Sequence, residues 1–271
     1  MNISIYIGKR DALKDPAMLS LVAHLQEGGC SVDVLYEGDR LENAPDMLLS
    51  VGGDGTFLSA SKLVGGRDIP VMGVNTGRLG FLSENRASDV AGAILAGDYT
   101  VESRAMLKAE TVTANPEIDA WPYALNEFTV HRSGAAMLGV QVSVDGVRLP
   151  TYWADGLIVS TPTGSTAYSL SIGGPIVTPD SSVLIIAPIS PHNLNVRPLV
   201  VPDSSVVEIS FQGRYPKALL TVDNRSLELG AGEKLVISKG LFPIKSISIN
   251  NNFIAALNQK LLWGEDKRNM Q

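Results

Sequence analysis

The sequence predicts an α/β N-terminal domain with a Rossmann-like parallel sheet, followed by a β-rich C-terminal domain. Three observations carry this. Up to about residue 100, short apolar strand runs alternate with segments of helical period, the grammar of parallel strands joined by right-handed crossovers. Beyond it, strand runs follow one another with turn residues between them and little helix. At the end of the third strand run stands Gly52-Gly53-Asp54-Gly55-Thr56. Glycines where a strand turns into a helix mark the edge at which open α/β sheets bind ligands.

Each element follows from local chemistry. Residues 3–7 alternate and end at Gly8, a strand and a turn. Asp15-Pro16 opens a helix, because proline is tolerated in a first turn. Its apolar face is Met18, Leu21, Val22 and Leu25, and Gly28-Gly29 ends it. Ser31–Tyr36 is a second strand with Val32, Val34 and Tyr36 on one face. Met47–Val51 is a buried strand, Phe57–Val64 a helix stopped by Gly65-Gly66, and Ile69–Val74 a fourth strand. A second glycine-punctuated loop runs from Gly73 through Asn75, Thr76, Gly77, Arg78 and Leu79 to Leu82, at the same sheet edge. Residues 87–96 form a short helix.

In the β-rich part, strands are expected over 105–113, 124–132, 138–144, 147–152, 156–160, 183–187, 206–211, 218–223, 234–238 and 244–249. Asp145-Gly146 between alternating runs is a hairpin turn. Residues 165–172 read as helical. So does Phe253–Trp263, with Phe253, Leu257, Leu261 and Leu262 on one side, and it is expected to pack back on the first domain. Glu265–Gln271 is polar and expected to fray. The domains are therefore expected at 1–100, joined by 250–271, and at 101–249.

Composition narrows the function classes. At 271 residues the chain can bury a sizeable core. Hydrophobic residues make up 45% and charged residues 18%, an ordinary globular balance. The net charge of −6 and the lack of a dense Lys/Arg cluster argue against nucleic acid as a partner. Cys30 is the single cysteine, which excludes an intrachain disulfide and a Cys-rich zinc site and reads as a small buried residue. The start shows a strand pattern without a basic leader, and the longest apolar run, Val183–Ile189, is too short to cross a bilayer. A cytoplasmic, reducing location and no membrane partner are expected.

Several stretches carry chemistry. Glycines 52, 53 and 55 let backbone amides approach an anion, and the following helix start adds partial positive charge. Asp54 is the odd member, since a carboxylate repels phosphate unless it handles a metal ion or a proton. Walker A, protein-kinase, G-x-S-x-G and His-Glu-x-x-His patterns are absent. Asn126-Glu127 breaks the alternation of a strand, either as a polar strand-edge pair or as hydrogen-bonding groups for a ribose, a base or a metal. Asp155–Ser171 runs from a strand into a loop of hydroxyls: Thr161, Thr163, Ser165, Thr166, Tyr168, Ser169 and Ser171. Such a row caps a helix or grips the sugar, base edges and phosphates of a nucleotide. Ala187-Pro188-Ile189-Ser190-Pro191-His192 ends the apolar strand, and His192 is open to the same cleft or to none. His24 reads as structural.

Together these blocks resemble the NAD kinase family. The matching pieces are Gly52–Thr56, Gly73–Leu82, Asn126-Glu127, Asp155–Pro175 and the segment Ala187–His192, in the family's order. The glycine-aspartate loop alone is shared with diacylglycerol, ceramide and sphingosine kinases and phosphofructokinases; the Asp155–Pro175 block is specific. The resemblance implies an α/β and a β-rich domain with NAD bound between them. It implies transfer of the ATP γ-phosphate to the 2′-hydroxyl of the adenosine ribose, giving NADP. Asp54 is then the proton acceptor. Gly52, Gly53, Gly55 and Thr56 hold the triphosphate and Mg²⁺, with no metal ligand assigned directly. NAD contacts fall on Asp54, Gly55, Asn126, Glu127, Trp153, Asp155, Thr163, Thr166, Ala167, Tyr168, Ser169, Leu170 and Ser171. Asp155 in this family reaches a dinucleotide held largely by a neighbouring subunit, so a homodimer or homotetramer is expected. With no evident arginine finger, magnesium carries much of the charge neutralisation. Trp153 falls where relatives differ, and Asp223-Asn224-Arg225 departs from the family's Asp-Gly-Gln turn. A lipid or other small-molecule kinase and a non-catalytic NAD(P) sensor are the competing readings.

Overall fold

The computed structural model describes residues 1–8, 15–75, 77, 80–249 and 253–261. They form two compact units, Met1–Ser103 with the described residues from Ile244 onward, and Arg104–Pro243. The first runs β1 (Asn2–Ile7), α1 (Pro16–Glu27), β2 (Ser31–Tyr36), β3 (Met47–Val51), α2 (Asp54–Val64), β4 (Val71–Asn75), β5 (Asn85–Arg86), α3 (Ala87–Ala96) and β6 (Thr100–Arg104). The second runs β7 (Leu107–Thr111), α4 (Pro116–Asp119), β8 (Tyr123–Ala124), β9 (Glu127–Arg132), β10 (Leu138–Val144), β11 (Val147–Arg148), β12 (Tyr152–Ala154), β13 (Gly156–Ser160), α5 (Tyr168–Ser171), β14 (Val183–Ile189), β15 (Leu199–Pro202), β16 (Val207–Gln212), β17 (Lys217–Val222), β18 (Arg225–Gly230) and β19 (Leu235–Lys239). β20 (Ile244–Ser248) and α6 (Phe253–Leu261) return to the first unit.

The first sheet has the order β2-β1-β3-β4-β20-β6, with β5 beside β4. β1 pairs parallel with β2 on one side and with β3 on the other. The chain therefore winds outward to β2 and then reverses to β3. That reversal opens a crevice at the carboxyl ends of β1 and β3. Asp15 Oδ1 caps α1 by accepting the N–H of Ala17 at 2.9 Å. Met18, Leu21 and Leu25 of α1 and Val90 and Ile94 of α3 pack on Ile3, Ile5, Leu49, Val51 and Met72 of the sheet. Phe57 and Val64 of α2 are buried outside that cluster, against β3 and β4, so both faces are covered. Every residue of β3 is buried accordingly.

Two sheets form the second unit. One has the order β11-β10-β16-β19-β7-β8, with β12 on β10, and the other β15-β14-β13-β9-β17-β18. Their inward residues share one core: Val140, Val207, Ile209 and Ile237 from the first, Phe128, Val130, Leu157, Leu184 and Leu220 from the second. This is a β-sandwich. Asp145 and Gly146, at φ 51 and 79°, make the two-residue turn that joins β10 to β11.

The structure departs from the sequence reading at several elements. α2 begins at Asp54 rather than Phe57, because Gly53 takes the extended N-cap conformation and the carboxylate suits a first turn. Residues 165–172 are not one helix. A 3₁₀ turn at Thr163–Thr166 and a single turn at Tyr168–Ser171 are separated by Ala167 at ψ −131°. β15 ends on Pro202 and pairs only with β14, an edge position that tolerates proline. Strand 244–249, grouped above with the β-rich run, lies beside β4 in the first sheet as β20, where Ile247 enters the first core. α6 buries Leu257, and its Phe253 ring lies 6.4 Å from that of Phe81. Leu262, Trp263, the polar tail 265–271, Thr76, Arg78 and Leu79 lie outside the described residues.

Leu220 and Leu219 are neighbours on β17, the first wholly buried in the sandwich, the second 37% exposed. Leu220→Ala is expected to cost about 2–5 kcal/mol, and Leu219→Ala about 0.5 kcal/mol or less, in denaturant unfolding. Equal losses would contradict the core assignment.

Candidate functional site

The phosphate-binding expectation falls on the crevice at the switch point. Gly52 closes β3 at φ 148°, a conformation other residues rarely adopt. The Thr56 side chain is wedged between two glycines: a Cβ would stand 2.3 Å from Thr56 Oγ1 at Gly52 and 2.8 Å from it at Gly8. Gly53 and Gly55 are exposed, with nothing within 4 Å of a Cβ at either. No side chain caps α2 among the described residues. The Thr56 N–H is taken by the Gly53 carbonyl at 2.9 Å, and a helix start with its dipole at this sheet edge is the arrangement that takes a phosphate.

Asp54 occupies the first turn of α2, and its carboxylate is held. Oδ2 accepts the N–H of Phe81 at 2.9 Å, and Oδ1 accepts those of Leu82 at 3.0 Å and Ser83 at 2.9 Å. Gly80 gives it room, since a Cβ there would lie 1.9 Å from Oδ1. The same turn is fastened to β4. Asn75 Nδ2 donates to the Ser83 carbonyl at 3.2 Å, and a Cβ on Gly73 would meet the Leu82 carbonyl at 2.0 Å. The two glycine-rich loops read separately from the sequence are joined here through Asp54. Gly8 and Gly80 were missed as site residues. Gly8 ended a strand in the sequence, but only the strand order puts it opposite Gly52.

In the second unit, Asn126 and Glu127 stand at the start of β9, with Ser160 of β13 opposite Glu127. The hydroxyl-rich loop is laced to them. Thr161 donates its N–H to the Asn126 carbonyl at 2.9 Å and its Oγ1–H to the Leu125 carbonyl at 2.6 Å. Thr161 Oγ1 also accepts the Gly164 N–H at 3.1 Å. Ser165 Oγ clamps Val177, accepting its N–H at 3.0 Å. Part of the hydroxyl row thus holds the loop. Thr163 and Ser169 are buried, the Ser169 hydroxyl without a partner among the described residues. Thr166, Ala167 and Leu170 are half-buried, and Tyr168 and Ser171 are exposed.

Glu127 is the unusual group. It is 7% exposed, and its Oε2 is buried without a hydrogen-bond partner among the described residues. Burial pushes its carboxyl from 4.5 up to about 8, and the neighbouring Asp223 charge pushes the same way. Asp155 pairs with Arg132, Oδ1 to Nε at 2.7 Å. The ring of Trp153 is exposed and lies over Gly139, while its carbonyl accepts the His192 N–H at 2.7 Å. The His192 side chain is exposed. Among the described residues no cluster of three or more His, Cys, Asp or Glu could cage a metal ion.

A glycine-lined switch-point crevice with a carboxylate in the helix turn beside it defines a phosphate-binding α/β protein, here joined to a β-sandwich. The model of the ATP-NAD kinase N-terminal domain matches residues 14–99, and that of the ATP-NAD kinase C-terminal domain residues 125–249. The NAD kinase of Flavobacterium psychrophilum is 44% identical over 234 residues, covering 84% of this chain and 80% of the relative. That of Cytophaga hutchinsonii is 42% identical over 230 residues, covering 83% and 78%. Among solved structures, yeast NADH kinase complexed with NADH aligns at TM-score 0.86 and 25% identity, covering all of this chain and 90% of that one. An NAD kinase from Archaeoglobus fulgidus in complex with ATP aligns at 0.78 and 27%, covering 97% and 99%. The chain belongs to the NAD kinase family. Matches over both units set aside the lipid-kinase reading, which rested on the glycine-aspartate loop alone.

Two outcomes test this geometry. Gly80→Ala would force the Asp54 carboxylate out of its three-amide hold, and kcat is expected to fall about tenfold or more; an unchanged kcat would show the hold to be dispensable. Glu127 binds a proton more tightly folded than unfolded, so its contribution to stability is full below pH 4.5 and lost as pH rises to about 8. Denaturant unfolding from about pH 5 to about pH 9 should therefore show wild-type stability falling relative to Glu127→Gln. Parallel curves would refute the raised value.

Proposed function

We infer that the chain phosphorylates NAD to NADP, transferring the ATP γ-phosphate to the 2′-hydroxyl of the adenosine ribose. The observation that carries the mechanism is the placement of Asp54, in the first turn of a helix that starts among closely packed glycines at the sheet edge. A ribose hydroxyl is a weak nucleophile until a base lies within hydrogen-bond reach. Asp54 Oδ1 already accepts two amides and Oδ2 one, so Oδ2 keeps a lone pair and is the atom that takes the proton. Gly52, Gly53, Gly55 and Thr56 hold the triphosphate. The same residues would hold a Mg²⁺ ion together with the triphosphate, and that ion would supply charge neutralisation for the transferring group.

The acceptor is held by the second unit in this proposal. Asn126 and Glu127 hydrogen-bond the dinucleotide, and Thr163, Thr166, Ala167, Tyr168, Ser169, Leu170 and Ser171 line it. Trp153 and Asp155 belong to the same set. A homodimer or homotetramer, with Asp155 serving a neighbour's dinucleotide, and a cytoplasmic location are parts of the same reading. Light scattering of the pure protein checks the first of these, and a monomer with full activity would remove it.

Incubation with Mg²⁺, ATP and NAD should yield NADP. Asp54→Asn is expected to lower kcat by about 10²–10⁴ while NAD still binds in calorimetry. Retained turnover would end the proton-acceptor role, and lost NAD binding would recast Asp54 as a binding group.

A further inference from the structure

Asp223 sits at the tip of the β17–β18 hairpin in a left-handed conformation, φ 52°, and turns its carboxylate onto the segment that opens β9. Oδ2 accepts the N–H of Leu125 at 2.9 Å, and Oδ1 accepts those of Asn126 at 2.8 Å and Glu127 at 3.2 Å. Three successive amides thus converge on one side chain. The hairpin answers through its backbone, the Asp223 N–H donating to the Glu127 carbonyl at 3.1 Å. Arg225 ties down the approach to this segment, Nη2 donating to the Trp121 carbonyl at 2.9 Å. From the other side, Thr161 N–H and Ser160 Oγ hold the Asn126 carbonyl, at 2.9 and 3.1 Å. Both polar groups of the Asn126 backbone are therefore committed, to two different elements. What the segment retains for a ligand is its pair of side chains.

We propose that Asp223 is a positioning residue of the dinucleotide site, setting the Asn126 and Glu127 side chains by gathering the backbone amides beneath them. The proposal rests on the reading of those two residues as dinucleotide contacts. It also gives Asp223 an electrostatic part. The charged group acting on Glu127 is Asp223, from the hairpin; Arg225 acts on Asp223 in turn, and across the sheet Ser160 of β13 stands opposite Glu127. Burial raises the Asp223 carboxyl, against three amide donors and Arg225, which lower it. Those donors favour charge on Asp223 against its burial, and that charge adds to burial in raising Glu127.

Asp223→Asn keeps an acceptor for two of the amides and tolerates the left-handed backbone, while Asp223→Ala removes all three bonds. For Asp223→Asn the KM for NAD should rise about tenfold, with kcat and the KM for ATP changed by about twofold or less. The pH at which kcat/KM for NAD breaks should move toward acid, because a like charge beside Glu127 is gone. Asp223→Ala should exceed the Asn variant in KM. If it does not fold, the Asn variant, checked by its melting temperature, decides alone. A common change in both KM values, or a break that stays where the wild type has it, overturns the proposal. Glu127→Gln, measured in parallel, separates the two layers. An impaired Glu127→Gln beside a wild-type-like Asp223→Asn refutes the positioning role only. A Glu127→Gln enzyme with wild-type kcat/KM and pH profile refutes the contact reading and the proposal with it.

Discussion

The amides of Phe81, Leu82 and Ser83 end on the Asp54 carboxylate, and this set of bonds ties the loop after β4 to the first turn of α2. The second unit repeats the device, with Asp223 taking the amides of Leu125, Asn126 and Glu127. The physical reason is common to both. Backbone leaving a strand presents N–H groups without a ladder partner, and an unpaired one away from water costs roughly 1–3 kcal/mol. A carboxylate answers several at once, because its two oxygens carry about four lone-pair sites in a small volume. Each unit thereby gains a rigid loop at the end of a strand, where functional side chains must be held within fractions of an ångström.

Glycine placement completes the frame. Gly8, Gly52 and Gly80 matter for what they lack. Thr56 fills the space that side chains on the first two would need, and Asp54 fills that of the third. In the second unit Gly164 lets the hydroxyl loop lie on the Asn126 carbonyl, 2.2 Å from where a Cβ would be. Close approach, of a side chain at Gly8, Gly52 and Gly80 and of backbone at Gly164, is what these positions require.

Much of this was legible in the sequence, because the relevant signals are local. The Gly52–Thr56 turn, the capped start of α1 at Asp15, the Asp145-Gly146 hairpin and the buried runs of β3 and β13 all follow from residue type and period. Asn126-Glu127 stood out for breaking a strand pattern, and burial raises the Glu127 carboxyl to about 8. What escaped depends on pairing across the chain. β20 has the composition of the strands before it, yet it pairs with β4, more than 170 positions earlier in the chain. Gly8 and Asp223 looked like turn residues, and both are turn residues. Their further roles come from neighbours that are distant in sequence.

Hydrophobic period and turn chemistry were enough to determine an α/β unit and a β-rich unit, while the motifs in their order carried a resemblance to the NAD kinase family that the relatives bear out. These depend on short-range sterics and on side chains within a few positions of one another. The tertiary structure decided the rest: that reversed winding puts Gly8 opposite Gly52, that the two glycine loops meet at Asp54, and that a distant hairpin sets Asn126 and Glu127. Strand order and the convergence of amides on one carboxylate are long-range facts, selected by packing energy over the whole unit, and no window of sequence contains them.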